Sequence, residues 1–434
     1  MAKKLNLEML LLPVFLVLLI SSNPYMASAS IEEANALLNW KASFANQTQS
    51  RLPSWNLLSH NASNSKPSTT SPCTWFGIFC NSAGSVIKIN IAGLSLNGTL
   101  QEFSFSSFPN LKYVDLYMNS LFGTIPSQIA SLSKLIYLDL SNNHLYGEIP
   151  PEIGLLANLQ ILYLDQNQLN GSISHEIGHL RSLVKLSFSS NNLSGLIPPS
   201  FGGLRNLTLL HLYRNQIPGL IPKELGNLVS LTDLRLSNNQ LSGLIPKELG
   251  NLISLTCLAL SNNQLSGLIP KELGNLISLT YLTLSNNQLS GLIPKELGNL
   301  VSLTTLHLWQ NQLTGSVPSS FGNLTNLEVI FLTYNKLSGP IPHELGNLKS
   351  LVKLHFSGNN LFGSIPPSFG GLRNLTGLYL GENQLSGLIP EKLGNLISLA
   401  YLDLSQNKLY GGIPLEFGLL TNLENLVLSE SKIQ

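Results

Sequence analysis

His175-Glu176-Ile177-Gly178-His179 has the spacing at which two histidines hold zinc and a glutamate serves as base. That chemistry needs a continuous helix, so that both imidazoles share a face. Here the five residues fill a slot that other stretches write Lys-Glu-Leu-Gly-Asn, a short segment with glycine inside, and no third ligand is evident. No metal is expected. Nor is a cofactor, since the chain has no phosphate-cradling loop, nucleophile elbow or dinucleotide fingerprint. The remaining chemistry is recognition, for which rings and arginines supply large area with few rotamers. One set is Tyr281, His307, Trp309, Phe331, Tyr334, Lys353, His355 and Tyr379. A smaller set is His211, Tyr213, Arg214 and Arg235, whose guanidinium would hold a carboxylate bidentately.

What positions these side chains is a strict repeat. Asparagine recurs every 24 residues at Asn119, Asn143, Asn167, Asn191, Asn215, Asn239, Asn263, Asn287, Asn311, Asn335, Asn359, Asn383 and Asn407. Around each the chain reads LxxLxLxxNxLxGxIPxxxGxL, as in SLTYLTLSNNQLSGLIPKELGNLV from Ser278 to Val301. This period and spacing is the signature of a leucine-rich-repeat solenoid: an α/β superhelix, curved, with a parallel β-sheet on its concave face. Leu282 and Leu284 lie two apart on a strand and point inward, while Tyr281, Thr283 and Ser285 face solvent. Leu279, Leu289, Ile293, Leu297 and Leu300 complete the inward set. Asn287 stands where the chain turns in after the strand, and its amide can satisfy backbone groups of its own coil and the next. Gly291 and Pro294 let the far side bend. Fourteen stacked coils make a rod on the order of 65 Å long.

The layout follows. Residues 1–29 read as a signal peptide, with Lys3 and Lys4, the apolar run Leu10 to Ile20 and the cleavage site Ala27-Ser28-Ala29. Its removal leaves 22 basic and 22 acidic residues, so charge gives no case for nucleic acid or a membrane surface. Residues 30–84 form an N-terminal cap. Ser30 and Glu33 suggest a capping box, and Ile31, Ala34, Leu37 and Leu38 share a helix face. A loop from about Ser59 to Pro72 leads to Cys73 and Cys80, which in a secreted chain pair as a disulfide. Cys257 falls on a solvent-facing strand position, a free thiol or a minor site of intermolecular pairing. Residues 85–109 are an atypical first repeat, 110–421 thirteen full repeats, and 422–434 an incomplete repeat with Ser431 in the asparagine slot and no cap, which suggests a truncated gene product. Sequons at Asn46, Asn61, Asn97, Asn170, Asn192, Asn206, Asn323 and Asn374 fit a secreted glycoprotein.

Three coils, Ser230–Ile253, Ser254–Ile277 and Ser278–Val301, are nearly identical. Apart from the final Ile or Val, they differ only at Asp233 and Arg235, Cys257 and Ala259, Tyr281 and Thr283. Exposed Lys-Glu pairs elsewhere in these coils did not change, which points to a concave surface diversified on a fixed scaffold. Leu196, Leu220, Leu244, Leu268 and Leu292 occupy a slot that is polar or small in other coils, and form either a lateral contact or a by-product of duplication.

The repeat wording LSGxIPxxLGNL, the CxWxGxxC head and the leading ALLNWKASF resemble the extracellular part of plant leucine-rich-repeat receptor-like kinases. The likeness runs over essentially the whole chain after the signal peptide, and is most like the male-discoverer-interacting receptor-like kinase group. It implies a non-catalytic recognition module that binds a secreted peptide or protein on the concave face and recruits a leucine-rich-repeat co-receptor. It implies an extracellular place for this chain, and the cell membrane for a product carrying a membrane helix. The family's membrane helix and kinase are missing from the sequence. The alternatives are a secreted defence protein similar to polygalacturonase inhibitors, or a receptor fragment without function.

Overall fold

The computed structural model describes residues 31–56 and 71–433. The expected signal peptide, the cap at Ser30 and the sequon at Asn61 lie outside these residues.

Alternation of leucine with short or polar residues gives each coil a three-residue strand, and the identical spacing sets each strand beside the last. The result is a 16-stranded sheet. Its first pair, Ile78–Cys80 and Val86–Asn90, is antiparallel, and every later neighbour is parallel and in chain order to Asn425–Val427. Tyr281–Thr283 is typical: Leu282 pairs with Leu258 on one side and Leu306 on the other. After the asparagine, each chain crosses the flank in a second short strand such as Gln288–Leu292. The far wall is a five-residue 3-10 turn such as Lys295–Asn299, opened by Pro294 and holding Gly298 buried. Among the described residues the α-helices are the cap's Ile31–Ser43 and Asn46–Gln49, so the repeats themselves contain none. All of Leu279, Leu282, Leu284, Leu289, Ile293, Leu297 and Leu300 are buried, and the same slots of the other full coils, the exposed Ile413 excepted, form one continuous apolar core. Each buried aliphatic side chain contributes roughly 1.5–3 kcal/mol.

Asn287 holds the inward turn. Its Nδ2 donates to Leu260 O at 3.0 Å, Leu284 O at 3.0 Å and Ser285 O at 3.2 Å, and its Oδ1 accepts from Leu265 N at 3.0 Å. The amide therefore serves its own coil and the preceding one, not the next, because the turn tilts it back toward the N-terminus. Ser431, in the same slot, makes one bond of this kind, to Leu404 O at 3.2 Å.

The cap departs from the sequence reading in two places. Ile31 is exposed, and Trp40 joins Ala34 and Leu37 on the buried face, since the first coil decides which side is covered. Trp40 Nε1 donates to Thr99 O at 2.8 Å, and its ring sits between Phe44 and Phe103. Glu33 is buried and accepts from Ser85 Oγ at 2.7 Å and Val86 N at 3.1 Å, tying the helix to the first repeat strand. Cys73 and Cys80 form a disulfide beside Trp75, which stacks on Trp55. Among the described residues no helix is long and apolar enough to cross a membrane.

Candidate functional site

The concave sheet lifts one ring per coil into line. Tyr281, His307, Phe331, His355 and Tyr379 stand on five consecutive strands, in direct register from His307 to Tyr379. His307 stacks on Phe331 with centroids 4.7 Å apart, Phe331 meets His355 at 4.1 Å, and His355 stacks on Tyr379 at 3.7 Å. Tyr281 closes on His307 edge to face at 6.0 Å. These rings are half-buried and outside the core, as is Trp309, which follows the strand carrying His307.

Stacking withdraws the imidazoles from water. His307 Nε2 and His355 Nε2 are buried and make no hydrogen bond among the described residues. Burial lowers both pKa values, that of His355 to about 4 with Lys353 and His307 adding to the effect. Both rings are therefore neutral near pH 7. Burial raises Tyr379 in the same way, helped by Tyr401 and Asp403.

Tyr334 does not join the stack. It occupies a left-handed turn at φ 54° after the strand, and its ring covers Gly358 of the next coil. Lys353 is exposed at the rim beside His355. Tyr401 extends the ladder instead, stacked on Tyr379 at 4.7 Å. It stands in the slot of Tyr281, two residues ahead of the one used by His307, Phe331, His355 and Tyr379, and Tyr379 reaches it by leaning over Gly377. The sequence reading ends the strip at Tyr379 and leaves out Tyr401.

Below the ladder lies a concave pocket of about 870 Å³. Asp233 and Arg235 wall one side, Tyr281, His307 and Trp309 the other, and the small residues Cys257, Ala259 and Thr283 form the floor. All six inner-strand residues by which the three near-identical coils differ line this one pocket. The structure also corrects two expectations. Cys257 is free but only 9 % exposed, because the longer side chains of neighbouring coils close over it. Burial, and then Asp233, push its thiol up to about 12, so it is neither exposed nor ionised. The clamp expected at Arg235 is filled from within: Nε and Nη2 grip Asp233 Oδ1 and Oδ2 at 2.9 and 3.0 Å. His211 Nε2 adds a third contact, 3.2 Å from Asp233 Oδ2. Arg214, exposed at the pocket edge, and Tyr213 complete this wall.

Elsewhere His175–His179 is a 3-10 turn, its two histidine rings are 6.1 Å apart, and His175 Nδ1 faces Glu176 at 3.2 Å. Among the described residues no group of three His, Cys, Asp or Glu could hold a metal ion. The described sequon asparagines are exposed, with Asn206 and Asn374 donating Nδ2 to Arg181 O and Lys349 O, each at 2.9 Å.

Family models for the leucine rich repeat match residues 181–241, 231–289, 253–313, 301–361 and 364–409, and a second repeat model matches 110–132, 134–156 and 158–180. The leucine rich repeat N-terminal domain matches 30–81. MDIS1-interacting receptor like kinase 2 of Arabidopsis thaliana is 43 % identical over 123 residues, 28 % of this chain and 11 % of that relative. The chain thus aligns with only about a tenth of that protein's length. The solved TDR receptor is 33 % identical, with a TM-score of 0.70 over 79 % of this chain and 64 % of its own. The Arabidopsis receptor kinase HAESA, solved with the peptide hormone IDA and the co-receptor SERK1, is 26 % identical with a TM-score of 0.56 over 93 % and 90 %.

Proposed function

Because this chain belongs to the leucine-rich-repeat family and is similar to the extracellular regions of plant receptor-like kinases, we propose that it is a non-catalytic recognition module binding a secreted peptide or protein. One observation carries the reading: every inner-strand difference among three nearly identical coils faces one pocket, and the ring ladder borders that pocket. A surface kept only for stacking would have no reason to vary there alone. The ligand lies along the concave face, with Trp309 and the ladder from Tyr281 to Tyr401 as apolar anchors and Arg214 as the available cation.

The module acts in the secretory pathway or outside the cell, after loss of residues 1–29. A leucine-rich-repeat co-receptor is the second partner, by analogy with the complex of HAESA with IDA and SERK1. The flank bearing Leu196, Leu220, Leu244, Leu268 and Leu292 is a candidate lateral contact. The test is a binding screen of secreted plant peptides against the purified protein, followed by Trp309→Ala and Phe331→Ala. Anchors at an interface centre commonly contribute 2 kcal/mol or more, so each variant should weaken a true ligand about thirtyfold. Affinity unchanged in both variants would remove the strip.

A further inference from the structure

We propose that the N-terminal half of the concave face carries a separate subsite, built by Asp165 among Tyr117, Tyr163 and Tyr213, for an ammonium or guanidinium group of the ligand. This rests on reading the concave face as a recognition surface, and adds the chemical class of one part of the ligand.

A cavity of about 330 Å³ opens there, with Tyr117, Tyr163, Asp165, Ser187, His211 and Tyr213 among its walls. Its carboxylate is aimed. Asp165 Oδ1 accepts from Ser187 Oγ and from Ser189 N, the latter at 2.8 Å. Two donors on one oxygen fix the plane of the group. Its Oδ2 accepts no hydrogen bond among the described residues, and Asp165 is in no ion pair among them. The basic side chains around it are otherwise disposed. His211 turns its Nε2 to Asp233, and Lys185, on the adjoining strand two residues before Ser187, makes no ion pair with Asp165 among the described residues.

Such a carboxylate is half-withdrawn from water, with one oxygen accepting no hydrogen bond among the described residues. Burial, with Asp139 adding to it, holds Asp165 above the usual carboxylate range, against the opposing hydrogen bonds of Ser187 and Ser189 and the nearby His211. Supplying a cation relieves that desolvation and completes a charge-assisted hydrogen bond. The rings add to it, because cations are attracted to aromatic faces within about 6 Å. Tyr163 stays an uncharged phenol, its pKa pushed up to about 12 by burial, Asp139 and Asp165. A neutral hydroxyl would use the oxygen but gain nothing from the rings, and an anion would be repelled by both Asp139 and Asp165. The slot of Tyr163 is five coils from that of Thr283, about 24 Å at strand spacing. An extended ligand needs roughly seven residues to reach from this cation to the near end of the ring ladder.

The probes are capped pentapeptides of glycine and serine whose central residue is arginine, lysine, norleucine or glutamate. A norleucine peptide with a free amino terminus tests the other source of an ammonium. Binding is followed on the intact purified protein by NMR of ring-labelled tyrosines, assigned with Tyr163→Phe and Tyr213→Phe. Arginine or lysine peptides should shift Tyr163 and Tyr213, norleucine and glutamate peptides should not, and the response should weaken with salt. A response to the free amino terminus alone would assign the site to the end of a peptide chain. Asp165→Asn keeps an acceptor for Ser187 and Ser189 but loses the charge. It should weaken the cation about tenfold or more at an unchanged melting temperature. Equal binding by Asp165→Asn, equal response to norleucine, or no tyrosine response at all overturns the subsite. None of these results touches the Trp309 and Phe331 test, so failure here is distinct from failure of the recognition reading.

Discussion

A single amide explains why an apolar core tolerates a polar residue every 24 positions. Asn287 satisfies four backbone groups that the inward turn strands, where a leucine would leave each unpaired at about 1–3 kcal/mol. The imidazoles of the ladder are the opposite case, polar atoms buried without partners, and they give the molecule a pH response. His355 titrates at about 4 in the fold, held down by burial first, then Lys353 and His307. In the unfolded chain it titrates near 6.5. A depressed folded value means that the fold prefers the neutral ring: its stability is fully present above about pH 6.5 and is lost as the pH falls toward 4. His307 shifts the same way. The melting temperature should therefore fall between about pH 7 and pH 4.5, and fall less in His355→Phe, which keeps a stacking ring without the titration. Each imidazole keeps an exposed edge, so screening makes the difference modest. Parallel curves for parent and variant would show that the ladder does not feel acid.

Each coil turns onto its flank through glycine. Gly291 has φ +74°, a conformation L-residues enter at about 1–2 kcal/mol, and a methyl group there would run into Leu268 Cδ2. The same leucine-over-glycine contact recurs at Gly219, Gly243, Gly267 and Gly315. Gly291→Ala should lower unfolding free energy by at least about 1–2 kcal/mol in denaturant titration, and Leu268→Ala added to it should relieve the clash but not the backbone cost. A neutral single variant would contradict the contact. These elements were legible because two rules agree on every leucine: the 24-residue slot and the alternation along a strand. What escaped depends on neighbours' lengths. Cys257 was placed facing solvent, correctly for its backbone, but Asp233, Arg235 and Tyr281 close over it. Arg235 was read as open to a ligand, although a carboxylate two residues away on one strand face can fill its fork. Tyr401 joins the ladder only because Tyr379 leans across Gly377, the Asp165 cavity is closed by side chains of several coils, and Trp40 completes the helix face that Glu33, Ala36 and Leu37 begin.

At the scale of the molecule, the unexplained feature is apolar surface on two flanks of the same coils. Leu196, Leu220, Leu244, Leu268 and Leu292 are 61–65 % exposed on one flank. Val229, Ile253, Ile277 and Val301, just ahead of the concave strands, are 50–60 % exposed. Between Asn206 and Asn323 there is no sequon, so glycans would leave both stripes open from Leu220 to Val301. Part of the leucine stripe is accounted for locally, since each side chain shingles over a glycine of the next coil. Covering glycine needs only one face of a leucine, however, and serine or glutamate fills the same slot at Ser316 and Glu148 with the coil unchanged. The surplus area suits a flat partner running along the rod, and its repeat matches another solenoid's strand spacing of about 4.8 Å. Leu244→Glu with Leu268→Glu should then reduce self-association or co-receptor capture, read by size-exclusion chromatography and pull-down with the concave ligand bound. If both readouts match the parent while the fold is intact, the stripe does no more than shield its glycines, and lateral assembly must use another face.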